Sequence, residues 1–237
     1  GVDGCITVSH GLADWMVKRY SMSRPEIVLN CRYYESHPST TEIKGDLNLG
    51  SETKLVLYLN SVYPGQGVEQ LIDAAAMMPK DVHLATLGPI PLEEYGERLR
   101  GQAAAAGLNG RFHMLDSKPG DEMLRYASGA DIGAIPRQNT SLNNYISLPN
   151  RVFELLMAGL PIAAPSLPDM KQFVEENDLG MSFDETSPED MSRILSDMLE
   201  PATLAELRNA VQTAAKRYCW ENEGEHYRSI VEAVARV

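Results

Sequence analysis

From Lys54 onwards, short apolar runs alternate with segments whose apolar residues recur at helical spacing. The apolar runs show little alternation with polar residues, as strands buried on both faces of a parallel sheet require. The predicted strands are Lys54–Leu59, Asp81–Leu87, Arg111–Leu115, Ala130–Ile135 and Leu160–Ala164, and the helices between them are Val68–Met77, Leu92–Ala106, Gly120–Ala127 and Arg151–Ala158. This order predicts an α/β fold with a doubly wound, Rossmann-like parallel sheet.

The segments on either side of this repeat are organised differently. Two predicted strands, Cys5–Ser9 and Glu26–Leu29, flank a helix over Gly11–Tyr20, and the polar stretch Cys31–Ser51 is typical of a linker. Extra C-terminal helices are predicted near Thr203–Ala215 and Glu221–Val234. We therefore divide the chain into residues 1–45, 46–200 and 201–237, and the abrupt start beside a strand suggests an excised fragment.

Composition limits the classes of partner. A formal net charge of −12 disfavours nucleic acid, although it is compatible with a local basic pocket for one phosphate ligand. The three cysteines, Cys5, Cys31 and Cys219, are far apart and form no metal-binding or disulfide pattern, so a reducing, cytoplasmic location is expected. The longest apolar runs are too short to span a membrane.

In a doubly wound sheet, ligands bind outside the carboxyl ends of the strands. A polar loop over residues 138–148 leads to a helix that starts near Asn150, and the free N–H groups of such a start suit a phosphate. Glu154 lies three residues after Arg151 on the same helix face, where its carboxylate could accept two hydrogen bonds from a ribose diol. A solvated ion pair between the two side chains explains the spacing equally well, so spacing alone leaves both interpretations open.

The segment Tyr145–Ile162, which contains Pro149-Asn150-Arg151 and Ala158-Gly159-Leu160-Pro161, closely resembles the donor-site motif of family 4 glycosyltransferases. These are group 1 enzymes with the glycosyltransferase B fold. Further stretches resemble other parts of the same family: Asp3–Ser9, Val28–Asn30, Leu55–Leu71, Ala130–Ile132 and Tyr218–Glu221. The resemblance implies that residues 46–200 are a nucleotide-sugar donor domain and that residues 1–45 are a remnant of the acceptor domain plus the interdomain linker.

The resemblance also implies roles for individual residues. Glu154 would bind the ribose hydroxyls, and Arg151 stands where the family usually has a lysine near the diphosphate. The backbone of the loop would hold the distal phosphate and the sugar through the amides of Ile146, Ser147 and Leu148. The remaining candidates for donor binding come from the ends of strands or from the same motif, and they are Asn60, Gly88, Ser117, Lys118, Arg137, Tyr145 and Asn150.

The implied activity is retaining transfer of a sugar from a nucleoside-diphosphate sugar to a glycan or lipid acceptor, as in polysaccharide biosynthesis. No cofactor or metal is expected, since Asp131 and Asp169 stand alone and form no Asp-x-Asp motif. The expected partners are the donor, the acceptor and the N-terminal domain, without nucleic acid, and peripheral membrane contact is expected only of the full-length protein. The chain alone is expected to bind nucleotide without turning it over, because the acceptor is not oriented.

Three departures from the family pattern favour an alternative. Asn60-Ser61 and Gln66-Gly67 stand where the family usually has Gly-Arg and Lys-Gly, so two diphosphate-binding cations are missing unless Arg137 or Lys118 substitutes. Ile146 stands where the family has an acid, and the family's N-terminal acceptor domain is almost entirely missing from the sequence. A catalytically degenerate nucleotide-binding or scaffold module is therefore the alternative. A dinucleotide-dependent enzyme is disfavoured, because Gly65–Gln70 lacks the third glycine of its fingerprint.

Overall fold

The computed structural model describes residues 3–35 and 39–235. The chain begins with a small parallel pair of strands, β1 (Ile6–Thr7) and β2 (Glu26–Ile27), joined by helix α1 (His10–Tyr20). The side chain of Ser9 caps α1 by accepting a hydrogen bond from the N–H of Leu12 at 3.3 Å. Both strands are shorter than the sequence predicts, since each has only the other as a partner.

Six parallel strands form the main sheet, which confirms the predicted fold class. They are β3 (Lys54–Leu59), β4 (Val82–Leu87), β5 (Phe112–Leu115), β6 (Ile132–Ala134), β7 (Ile162–Pro165) and β8 (Gly180–Phe183), and their order is β5-β4-β3-β6-β7-β8. The chain moves outwards from β3 to β5 and then returns to the other side of β3 at β6. This reversal places the topological switch point between β3 and β6, where a crevice opens beyond the strand ends.

Helices cover both faces of this sheet. They are α3 (Val68–Ala76), α4 (Glu93–Ala105), α5 (Gly120–Ala127), α7 (Asn150–Met157), α8 (Pro168–Glu176), α9 (Pro188–Leu199) and α10 (Pro201–Arg217). The last helix, α11 (Trp220–Ala235), follows them and has no buried residue. One apolar core lies under α5, α7, α8 and α10, and a second lies under α3, α4 and α9. In the part of the chain described, no helix is long and apolar enough to cross a membrane.

Four elements were not predicted from the sequence. Helix α2 (Glu42–Asp46) interrupts the predicted linker and buries Ile43 completely, and α6 (Leu142–Ile146) interrupts the predicted donor loop. Each has five residues, which is too short for a helical period to be recognised. Strand β8 has only four residues, two of them half-buried. Helix α8 begins with a proline at its first position, which is a recognisable start signal.

Asp131 joins the predicted linker and the C-terminal helices to the sheet. Its carboxylate accepts a hydrogen bond from the N–H of Leu55 at 2.8 Å, and it pairs with Lys44 of α2 at 2.8 Å and with Arg208 of α10 at 3.3 Å. The residue is only 6% exposed, so this ion-pair cluster is a buried structural feature. Helix α10 also contributes Val211 to the core under α7.

Candidate functional site

The loops at the ends of β3, β4 and β6 approach one another closely. Gly67 has a φ of +83°, and a Cβ on this residue would lie 1.7 Å from the carbonyl oxygen of Pro136, directly after β6. Gly88 has a φ of +152°, and its Cβ would lie 2.3 Å from the carbonyl oxygen of Asn60. Only glycine fits at either place. The predicted site residue Gly88 therefore supports the end of β3 by close backbone packing.

Three of the predicted site residues meet at the switch point. The Nε of Arg151 donates to the Oδ1 of Asn60 at 3.2 Å, and the same guanidinium pairs with the carboxylate of Glu154. Asn60 Oδ1 also accepts the N–H of Ser61 at 2.9 Å. Glu154 is only 9% exposed, so its carboxylate is largely removed from water and depends on these partners. The ion pair that spacing left open is present, and it is largely buried beside the crevice, which Arg151 lines, rather than on a solvated helix face.

The first turn of α7 faces this crevice with little capping. Pro149 occupies the N-cap position with an extended backbone and makes no side-chain capping hydrogen bond. Four N–H groups at this helix start donate no hydrogen bond to any described residue: those of Ser147, Leu148, Asn150 and Arg151. Unpaired N–H groups at a helix start carry partial positive charge and bind anions readily. Ile146 differs, because it ends α6 and its N–H points along that helix.

Arg137 is a further cation in the crevice. Its Nη1 donates to the Oγ of Ser147 at 3.3 Å, so it ties the end of β6 to the loop before α7. Burial lowers the pKa of the Arg137 guanidinium from its ordinary value, and burial likewise raises the pKa of the neighbouring Tyr58 hydroxyl. The crevice is lined by Tyr58, Leu59, Asn60, Gln66, Ala134, Ile135, Pro136, Arg137, Pro149, Arg151 and Leu155.

The other predicted residues lie apart from this cluster. Lys118 does not point into the crevice: its ammonium lies 4.3 Å from the ring centre of Tyr126 on α5 and 3.9 Å from the carboxylate of Asp46 on α2. It therefore does not replace the missing cations where it stands. Ser117 is exposed beyond the edge strand β5, and Tyr145 is 42% exposed on α6.

Sequence reasoning missed two contributors, Arg32 of the predicted linker and Asn30 directly before it. The Nη1 of Arg32 lies 3.5 Å from Oε1 of Glu154, and the Nδ2 of Asn30 donates to Oδ1 of Asn150 at 3.0 Å. These contacts join residues more than a hundred positions apart, and no local pattern in the sequence predicts them. Asn30 lay inside a stretch that resembles the family, whereas Arg32 lay just beyond it.

Chemically, the crevice offers the guanidiniums of Arg137 and Arg151 and unpaired backbone N–H groups, and the Glu154 carboxylate and the Arg32 guanidinium lie beside it. Cations and N–H groups suit a diphosphate, and a carboxylate suits a pair of hydroxyls. Among residues 3–35 and 39–235, no group of three or more His, Cys, Asp or Glu side chains could hold a metal ion. The three cysteines are free thiols.

Comparison with known proteins identifies similar sequences and structures. The "D-inositol 3-phosphate glycosyltransferase" of Corynebacterium glutamicum (strain R) is 25% identical over 168 residues, which are 68% of this chain and 39% of that protein. The "Lipopolysaccharide glucosyltransferase WaaG" of Escherichia coli (strain K12) is 20% identical over 212 residues, 89% of this chain and 51% of that protein. The chain thus spans about two fifths to one half of the curated relatives it matches.

Among solved structures, Anabaena Alr3699/HepE, in complex with UDP and glucose, superposes with a TM-score of 0.82 at 17% identity. The match covers 98% of this chain and 64% of that one, and it supports the same fold. The family model for glycosyl transferases group 1 matches residues 39–218, which include β3 to β8 and the site residues Asn60, Arg151 and Glu154, but neither Asn30 nor Arg32. The chain therefore belongs to the group 1 glycosyltransferases, and its sheet is one half of the glycosyltransferase B fold.

Proposed function

We propose that this chain binds a nucleoside-diphosphate sugar and forms the donor half of a retaining glycosyltransferase whose acceptor is a glycan or lipid. One observation carries the proposal: Glu154 and Arg151 meet at an uncapped helix start, at the switch point of the sheet. One structural neighbour, Anabaena Alr3699/HepE, was crystallised in complex with UDP and with UDP-glucose, which supports a nucleotide-sugar ligand.

We assign the ribose to Glu154. Its side chain is buried beside the crevice, where it pairs with the crevice-lining Arg151, and its two oxygens can accept from adjacent ribose hydroxyls. In the structure, Arg151 and Arg32 occupy these oxygens. The ligand would therefore share the carboxylate with both arginines.

We assign the diphosphate to the start of α7 and the loop before it. The N–H groups of Ser147 and Leu148, rather than that of Ile146, are free to donate to phosphate oxygens. Arg151 and Arg137 supply positive charge on the two sides of this loop, in place of the cations missing at Ser61 and Gln66. With these charges the proposed reaction needs no metal ion.

In the proposed reaction, the bond between the anomeric carbon and the leaving diphosphate breaks. The acceptor oxygen bonds to the same face of that carbon, and the acceptor proton passes to the leaving phosphate. The cations stabilise the negative charge that develops on the diphosphate. Because an oriented acceptor is needed, we propose that this chain alone binds the donor without transferring sugar.

A second candidate function is a nucleotide-binding or scaffold module that no longer catalyses. The neutral side chain of Ser61 favours it, since this residue stands where the resemblance implies an arginine, and the adjacent Asn60 is held by Arg151. Both functions predict that nucleotide binds. They differ in whether the protein with its acceptor half transfers sugar from a panel of donors.

The first test is nucleotide binding, measured by thermal shift with UDP, GDP and ADP. A ligand at about 100 times its Kd stabilises the folded chain by about 2.7 kcal/mol, so a clear rise in Tm is expected with the matching base. The variant Glu154→Gln should lose most of the rise. The matched control is Glu175→Gln, which changes an exposed carboxylate on α8 and should leave the rise intact. A chain that responds to no nucleotide would overturn the proposal.

A further inference from the structure

Arg32 belongs to a segment whose backbone is held in place at several points. Its carbonyl oxygen accepts the N–H of Trp220 at 2.7 Å, where α11 begins. On one side, the N–H of Leu29 donates to the carboxylate of Glu223 at 2.8 Å. On the other side, the N–H of Tyr34 donates to the carboxylate of Glu221 at 3.0 Å. The residue between these contacts therefore has a fixed position.

From that position the Arg32 side chain reaches the proposed ribose carboxylate. Its Nη1 lies 3.5 Å from Oε1 of Glu154, while Arg151 pairs with Oε2 of the same carboxylate. The two arginines thus hold the two oxygens separately. Asn30 adds a second contact from the segment to α7 through its 3.0 Å hydrogen bond to Asn150.

A carboxylate held at only one oxygen can rotate about its last bond and swing away from a diol. Arg151 alone would leave Oε1 without a charged partner inside the crevice. The Arg32 side chain is 37% exposed, compared with 12% for Glu154, so Arg32 brings its charge from the solvent side of the crevice. Arg32 can give up its contact with Oε1 to a ribose hydroxyl, because its charge then remains in contact with water.

We propose that Arg32 is a positioning residue for donor recognition: together with Arg151 it orients the Glu154 carboxylate so that the protein distinguishes ribose from 2′-deoxyribose. The inference rests on the proposed function and extends it, because it makes sugar recognition depend on a residue outside the segment that matches the family model. It also couples the segment between β2 and α2 to the donor site.

The test is a double-mutant cycle read by calorimetric titration of this chain. UDP is compared with 2′-deoxyuridine diphosphate, and GDP with its 2′-deoxy form, for the wild type, Arg32→Met, Glu154→Gln and the double variant. A hydrogen bond to a charged group contributes enough for the wild type to prefer the ribonucleotide by about ten- to a hundredfold. Arg32→Met should reduce that preference by about three- to tenfold, and Arg32→Lys should restore part of it.

Because Arg32 acts through Glu154, the double variant should discriminate no worse than Glu154→Gln alone. The matched control is Arg125→Met, which removes the same charge from an exposed arginine that also pairs with a glutamate, Glu42. It should keep the full preference. Thermal unfolding of each free variant separates a fall in stability from a change in recognition, since a purely structural role moves Tm and leaves the preference intact.

Three outcomes would overturn the inference. If Arg32→Met keeps the wild-type preference for ribose, Arg32 does not position Glu154, while the proposed function stands. If Arg32→Met weakens the binding of the ribonucleotide and the deoxyribonucleotide equally, and this loss of affinity adds to that of Glu154→Gln, Arg32 acts on the phosphates instead. If the wild type binds neither form or shows no preference, the assignment of ribose to Glu154 fails first, and the inference falls with it.

Discussion

The Nε of Arg151 donates to Oδ1 of Asn60 at 3.2 Å, so the start of α7 is joined to the end of β3 across the switch point. A planar guanidinium can serve this acceptor and the Glu154 carboxylate together, in fixed directions. A second cation at position 60 would be repelled by Arg151. The neutral side chain of Asn60 is therefore compatible with an arginine at position 151. The family resemblance implied a lysine at position 151.

This relationship predicts that Arg151 cannot be exchanged for lysine without loss. A lysine ammonium can pair with Glu154 but lacks the fork that also reaches Asn60. We expect Arg151→Met to weaken UDP binding by about tenfold or more, and Arg151→Lys by a smaller factor, as measured by calorimetric titration. Arg193→Met, which removes an exposed charge on α9, should leave the affinity unchanged. Equal affinity for wild type and Arg151→Met would show that Arg151 does not contact the ligand.

The close approach of β3 and β6 predicts a large difference between two neighbouring glycines. Gly65 and Gly67 both have positive φ, but a Cβ at Gly65 meets nothing within 4 Å, whereas one at Gly67 lies 1.7 Å from Pro136 O. We expect Gly65→Ala to lower the free energy of unfolding by about 1 kcal/mol from backbone strain alone. Gly67→Ala should lower it by about 3 kcal/mol or more, because the loops must separate. Urea unfolding measures both, and similar losses would contradict the packing described.

Sequence periodicity predicted the central part of the sheet well. Strand β3 and helix α5 match their predicted bounds, and the others differ by a few residues at their ends. The switch point could also be inferred, because parallel strands joined by helices bring their carboxyl ends to one edge. Glu154 and Arg151 were found for this reason, together with the family resemblance.

What could not be predicted depends on contacts between distant parts of the chain. Helix α2 forms where Ile43 enters the core beside α5, a burial that five residues of sequence do not reveal. The ammonium of Lys118 is directed towards Asp46 of α2. The position of Lys118 after β5 therefore wrongly suggested that it reaches the donor site. Arg32 reaches Glu154 only because the start of α11 holds its backbone. Such information lies in the packing and not in local spacing.

Asp131 provides a test of the structural ion-pair cluster. Asp131→Asn keeps an oxygen for the N–H of Leu55 but leaves Lys44 and Arg208 without their common carboxylate. Removing one partner of a buried ion pair is costly, so we expect the free energy of unfolding to fall by about 2–4 kcal/mol. Nucleotide affinity should be unchanged under conditions where the variant is folded. A loss of affinity without a loss of stability would mean that this aspartate belongs to the donor site.

The histidine pair on β4 and β5 predicts that stability falls with acid. His83 Nδ1 and His113 Nε2 lie 2.9 Å apart, so one nitrogen must stay unprotonated. Burial lowers both pKa values, with Arg111 adding to the effect at His83 and Asp81 opposing it. The unfolded chain, with an ordinary histidine pKa of about 6.5, then binds protons at a higher pH than the folded chain. The free energy of unfolding should therefore fall as pH drops below about 6.5. His113→Asn should flatten this fall in urea titrations between about pH 7.5 and 5.5, while the exposed His226→Gln should not.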